Sequence, residues 1–266
     1  MKPIKLFWCR GRGRTDSAYQ NFGDYLSANV VEVASGRPVV HAGIKDADMI
    51  AIGSVLNREK KAKSWGFPRK LHIWGTGSGS ADDTFSGRHY YHAVRGHSCL
   101  KQINNLSASP ALGDPGLLAS MVVKKSTRKT ARIGLIPHIS HQGSSEIRAL
   151  QSLVPGVKII NVFSPVKQVL EEISSCDFVL SSSLHGLIVA DSYGVPNQWL
   201  SMKRDAGWEY KFRDYYSSFG LMDPTPVSPA QILMDRQWSE ESIAEGYLRP
   251  GLGDIQEGLL KAFPKF

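Results

Sequence analysis

The sequence predicts an α/β fold built on parallel sheets, and three observations lead there. Short apolar runs at residues 4–8, 49–52, 71–74 and 91–94, and again at 133–136, 157–162, 178–180 and 198–200, read as strands. Several are nearly continuous rather than alternating, the pattern of strands covered on both faces. Helix-like stretches with recognisable start signals lie between them, and strand–helix alternation over 266 residues argues for parallel pairing.

The first strand, 4–8, leads through Cys9-Arg10-Gly11-Arg12-Gly13-Arg14 to a helix predicted over 24–34. Asn21 or Asp24 can cap that helix, and Gly23 permits a tight backbone. The pair Gly11 and Gly13 makes no dinucleotide fingerprint, because Asp16 stands where the third glycine belongs. After strand 71–74 comes Trp74-Gly75-Thr76-Gly77-Ser78-Gly79-Ser80, which lacks Gly-Lys-Ser/Thr, is no P-loop, and reads as a flexible connection. Strand 91–94 ends in Arg95-Gly96-His97. The stretch 122–132 carries Lys124, Lys125, Arg128, Lys129 and Arg132 among serines and threonines and reads as a solvated linker. It divides the chain into α/β halves 1–122 and 123–266 with a cleft between them, the C-terminal helices packing back on the first half. In the second half, strand 133–136 runs into Pro137-His138, and Ser164-Pro165 starts a helix with the stripe Val166, Val169, Leu170 and Ile173. Strand 178–180 runs into Ser181-Ser182-Ser183 and a helix predicted over 184–192, and Ser228-Pro229 opens another helix.

Composition narrows the partners. Thirty-two Lys and Arg against 24 Asp and Glu give a formal charge of +8 and a pI near 9.4, which points to an anionic partner without choosing one. No apolar run approaches the roughly 20 residues that span a bilayer, and the N-terminal apolar interval is too short for a signal-peptide core. Three cysteines, odd in number and far apart, fit a reducing compartment rather than a disulfide framework. The expectation is a cytoplasmic chain, with peripheral contact at the inner membrane face left open by its charge. Aromatic residues do not interleave with a basic stripe, so nucleic acid is not expected. His89/His92 and His138/His141 are spaced i, i+3, but nothing completes a zinc set, so no metal is expected. Ser181–Ser183 lack the G-x-S-x-G elbow of a serine nucleophile.

The stretch from Asp177 to Asp191 is the most informative. An apolar strand enters three serines and then a small-residue helix whose first turn holds His185. Ser182 or Ser183 can cap this helix, whose free N–H groups form an anion site, and His185 titrates in the range that proton transfer needs. A capped helix with an incidental histidine explains the same residues, and capping alone explains Asn21 and Asp24, which could otherwise hold sugar hydroxyls. Arg95, His138 and His185 all fall at strand ends on one edge of their sheets, which favours the functional reading.

The segments 21–26, 74–77, 94–96, 112–118 and 183–188 resemble, in order, the motifs of the polysaccharide pyruvyl transferase family. Phe212-Arg213-Asp214-Tyr215-Tyr216 is further similar to the branch acting in bacterial exopolysaccharide assembly, including succinoglycan-type pathways. The resemblance implies two Rossmann-like domains facing a cleft, as in B-type glycosyltransferases, with the acceptor on the first half and the donor on the second. It implies phosphoenolpyruvate as donor and a saccharide acceptor, free or lipid-linked, joined as a cyclic pyruvate ketal with no obligatory cofactor. Under it His185 is the catalytic acid/base, with Asp24 in reserve. Asn21, Gly23, Arg95, His138, Ser182, Ser183, Leu184 and Arg213 bind substrate. The family's Arg-Leu-His motif falls on Ser183-Leu184-His185, so another cation must replace its arginine: Arg95, His138, Lys203, Arg204, Lys211 or Arg213. Two other readings are a nucleotide-sugar-dependent glycosyltransferase of the same architecture and a non-catalytic polysaccharide- or anion-binding relative.

Overall fold

The computed structural model describes residues 1–10, 20–64, 67–203, 205–235 and 238–266. The first half runs β1 (Ile4–Phe7), α1 (Phe22–Ser35), β2 (Val39–His41), β3 (Met49–Ile50), the hairpin strands β4 (Lys63–Ser64) and β5 (Phe67–Pro68), β6 (His72–Trp74), β7 (Tyr90–Val94), α2 (His97–Leu100), β8 (Ala111–Leu112) and α3 (Ala119–Val122). The second runs β9 (Ala131–Ile136), α4 (Ser145–Leu153), β10 (Val157–Ile159), α5 (Val166–Ser174), β11 (Cys176–Ser181), α6 (Leu184–Ser192), β12 (Asn197–Trp199), α7 (Ala206–Ser217), α8 (Pro229–Met234), α9 (Glu240–Glu245) and α10 (Leu252–Lys261).

Among the described residues the strands form a six-stranded sheet in the order β2-β1-β3-β6-β7-β8, a four-stranded sheet in the order β10-β9-β11-β12, and the β4-β5 hairpin. Every pairing in the two larger sheets is parallel. In the first, connections leave in opposite directions between β1 and β3; in the second, between β9 and β11. Ligands of open parallel sheets bind at the carboxyl ends of such strands.

All eight predicted strands are present, four of them shorter than the apolar runs and three longer. Ile160 and Val162 extend the run beyond β10 because both are completely buried in the core, not because they continue a strand. The predicted helices are also present, but three of the expected caps are not. Helix α5 starts one residue late, with Pro165 and not Ser164 as its N-cap. Helix α6 has no side-chain cap, because the Ser183 side chain makes none and Ser182 is bonded elsewhere. Neither Asn21 nor Asp24 caps α1; the Asn21 amide donates to the Asp24 carboxylate at 3.1 Å instead. Ser228 does cap α8, in a full capping box with Gln231.

The loop after Trp74 is not a flexible connection: Thr76 and Ser78 are completely buried, and Thr76 bonds the Gly53 carbonyl at 2.6 Å. The basic stretch 124–132 runs largely exposed between the two sheets. One hydrophobic cluster nevertheless joins residues of both, among them Leu6, Trp74, Val179 and Leu187. The C-terminal segment adds a second tie. Arg249 pairs with buried Asp191 at 2.9 Å, and the Leu259 carbonyl accepts from the Trp74 indole at 2.9 Å.

Candidate active site

Strand β11 delivers the three serines to the carboxyl edge of the second sheet, and each has a separate task. Ser181 Oγ accepts from the Ser183 N–H at 3.0 Å, folding the chain tightly into α6. Ser182 Oγ accepts from the His138 N–H at 3.0 Å and lies 3.0 Å from His141 Nδ1, pinning the loop after β9 to the start of α6. Leu184 turns inward and is only 4 % exposed, part of the core and not a substrate contact. His185 follows on the open side of the turn. It is 8 % exposed, and its Nε2 is buried with no hydrogen-bond partner among the described residues.

The reason for Gly23 lies across the molecule. A Cβ at position 23 would clash with the His185 side chain, so only glycine lets the first turn of α1 close on the imidazole. This contact brings the switch region of the first sheet against that of the second. Asp24, the next residue, has its carboxylate against Gly53 after β3.

Lys211, from the middle of α7, supplies the site's cation. Its ammonium lies 3.8 Å from the Trp208 ring centroid and 5.4 Å from that of Phe212. Among the described residues no carboxylate lies within ion-pair distance of it. Its charge is felt at Asp24, His138, His141 and His185 together. Burial, with the field of Arg95, lowers the Lys211 pKa to about 8. Burial raises Asp24 to about 6 despite the Asn21 hydrogen bond and the Lys211 charge. Burial first, then Lys211 and Arg95, lowers His185 to about 3, so it rests as a neutral imidazole. His138 is likewise lowered to about 3 by burial and by Lys211.

Other expected binding residues are placed differently. Arg95 is fully buried, its guanidinium lying on Gly77, and all three nitrogens have protein partners: Asp214 at 2.8 Å, Ser54 Oγ at 2.8 Å and the Ser78 carbonyl at 2.6 Å. It serves the site through its field and by holding α7. Arg213 is paired elsewhere: it bonds Glu209 and Asp223, each at 3.1 Å. Two positions along a helix is about 200° of rotation, so Arg213 points away from the side that Lys211 occupies. Lys203 is highly exposed and near Asp205 at 3.8 Å, and Arg204 lies outside the described residues. Asn21, Gly23, Asp24, His138, Ser182 and His185 do come together, with Ser183 buried as the first residue of the α6 turn.

Sequence reasoning named Lys211 only as one of six candidate cations and missed the importance of Trp208 and His141. His138 stands edge-on to Trp208 at 4.7 Å, and His141 lies 5.8 Å from the same ring. A 250 Å³ cavity lined by Ser140, His141, Lys203, Asp205 and Trp208 opens there. The missed signal was the spacing Trp208, Phe212, Tyr215, Phe219 on α7 and just past its end, a helical stripe that marks which side faces the protein.

The polysaccharide pyruvyl transferase family model matches residues 21–203, from the start of α1 to the loop after β12. The chain belongs to the polysaccharide pyruvyl transferase family. The matched span holds every residue of the site except those of α7. This pyruvyl transferase family member is 25% identical over 226 residues to the succinoglycan biosynthesis protein ExoV of Rhizobium meliloti, covering 83% of this chain and 66% of that protein. It is 30% identical over 138 residues to an uncharacterized protein of Acanthamoeba polyphaga mimivirus, covering 49% of this chain and 48% of that one. The chain thus spans about half to two thirds of the length of these curated relatives. No solved structure matches it. Among the described residues, no helix of the family member is long and apolar enough to cross a membrane.

Proposed function

We propose that this chain transfers the enolpyruvyl group of phosphoenolpyruvate to two hydroxyls of a saccharide, closing a cyclic pyruvate ketal in the assembly of a polysaccharide. The observation that carries this reading is the cation Lys211, whose charge acts on Asp24, His138 and His185 where the two sheets' switch regions meet. Family membership and the likeness to a succinoglycan biosynthesis protein support it. We also read the two parallel sheets as Rossmann-like units split near residue 122, acceptor side first and donor side second. The strand-order reversals in both sheets support a B-type glycosyltransferase architecture.

The electrostatics give the donor a role in its own activation. A neutral imidazole is a poor proton donor, and burial, reinforced by two cationic neighbours, keeps His185 neutral in the free site. Phosphate and carboxylate bound at Lys211 and the uncapped start of α6 cancel that field. The His185 pKa then rises, and the imidazole takes up the proton that the methylene carbon needs. One acceptor hydroxyl attacks the neighbouring carbon and gives its proton to Asp24. Phosphate departs, and the second hydroxyl closes the ring. The two hydroxyl protons are balanced by the new methyl C–H and by protonated phosphate.

The test is incubation of the protein with phosphoenolpyruvate and saccharides released from the source organism's surface polysaccharide. The account expects one phosphate released per ketal formed, and a loss of roughly 10²- to 10⁴-fold in kcat for His185→Ala. Turnover by that variant at the wild-type rate removes the assigned role, and donor activity with a nucleotide sugar in place of phosphoenolpyruvate removes the reading.

A further inference from the structure

Beside the charged site lies a cavity of a different chemical character. It measures about 340 Å³ and is lined by half-buried Tyr25 and Phe163 over the buried Phe22, with Gln20 and Ser164 at its polar edge. Phe22 and Tyr25 are one helical turn apart at the start of α1, and Asp24 lies on the other side of that same turn. The Phe22 N–H donates to the Val162 carbonyl at 2.9 Å, which fixes the wall from the first half against the wall from the second. Trp8 stands edge-on to Tyr25 at 6.0 Å and holds that ring in place. The start of α5, at Pro165 and Val166, closes the far side, and no side chain caps its free N–H groups.

The lining selects the ligand. The described lining is aromatic, amide and hydroxyl in character, with no charged side chain among the described residues. Aromatic faces with amide, hydroxyl and free N–H groups at the rim suit a neutral pyranose, which presents C–H groups on one side and hydroxyls at its edge. The volume falls within the roughly 300–1,000 Å³ of small-molecule sites. We propose that this cavity is an acceptor subsite that holds the uncharged sugar residue next to the one being modified. The protein therefore requires an acceptor of at least two linked sugars. This inference rests on the pyruvyl-transfer reading only for the word acceptor; the binding of a neutral saccharide stands by itself.

The experiment is calorimetric titration of the full chain with size-fractionated oligosaccharides from the source organism's surface polysaccharide, stripped of ketals by mild acid. Wild-type protein is compared with Phe163→Ala, which removes one ring, and Ser164→Trp, which fills the cavity without removing a core side chain. Melting curves confirm that each variant is folded. Disaccharides and longer fragments should bind the wild type more tightly than monosaccharides, and affinity should fall roughly five- to tenfold in either folded variant. Equal binding of mono- and disaccharides, unchanged affinity in the folded variants, or no binding of any fragment overturns the subsite. The same samples incubated with phosphoenolpyruvate separate the two ideas. Variant-sensitive binding without ketal formation leaves the subsite standing and removes pyruvyl transfer, whereas transfer at wild-type KM in both variants does the reverse.

Discussion

Asp24, Lys211, His138 and His185 all have pKa values displaced from their ordinary ranges, each in the direction that burial dictates. Asp24, raised to about 6, becomes a competent base as pH rises through that value. Lys211, lowered to about 8, loses its charge as pH rises through that one. The kcat/KM profile for phosphoenolpyruvate should therefore be a bell with limbs near 6 and 8. Lys211→Arg should carry the upper limb beyond the measurable range, and Lys211→Met should raise KM by roughly 10-fold or more with the acid limb intact. Asp24 also bears on stability. A carboxyl whose folded pKa lies above its unfolded one favours folding below the unfolded value and loses that advantage as pH climbs through about 6. Asp24→Asn should thus gain on the order of 1–3 kcal/mol at pH 7, seen as a higher Tm, while activity collapses. His185 and Asp24 were legible in the sequence because each lies in a helix's first turn after a strand. Lys211 was not separable from Arg213, because the choice depends on which side of α7 faces the protein.

Helix α7 is where the sequence pattern said least and the fold depends on it most. Its docking rests on the Phe212 ring stacked on Trp199 at 4.5 Å and on the Arg95–Asp214 pair, both partners wholly buried. Lys211 immediately precedes Phe212 on the same helix, so its position is set by these two anchors. Asp214 also accepts from the Cys99 N–H at 2.7 Å. Asp214→Ala would leave the Arg95 charge buried and unpaired, at a cost of about 3–5 kcal/mol. The expected outcome is a matching drop in denaturant midpoint, with a raised KM for phosphoenolpyruvate in the fraction still folded. Wild-type stability would show that the pair contributes nothing net. The resemblance drew attention to residues 212–216 without giving their orientation. By contrast, α6 was predicted residue for residue, because apolar strand, serines and small-residue helix follow one another without interruption.

The alternation of strands and helices carried the α/β class, yet the way the halves join was not readable from it. Leu6 and Trp74 share a buried cluster with Val179 and Leu187. Residues 247–259 tie Asp191 of the second sheet's layer and Trp74 of the first to the same C-terminal segment. Such contacts are made between residues far apart in sequence, where local pattern has no information. Scanning calorimetry should accordingly show one cooperative transition, and two resolved transitions would mean that the halves are energetically separate. The most direct test of the central claim is the reaction run in deuterium oxide with phosphoenolpyruvate and the acceptor saccharide, with the product read by proton NMR. Proton delivery to the methylene carbon by an exchangeable group predicts a ketal methyl carrying one deuterium. A product that keeps its vinyl protons, or a methyl without deuterium, would contradict the account.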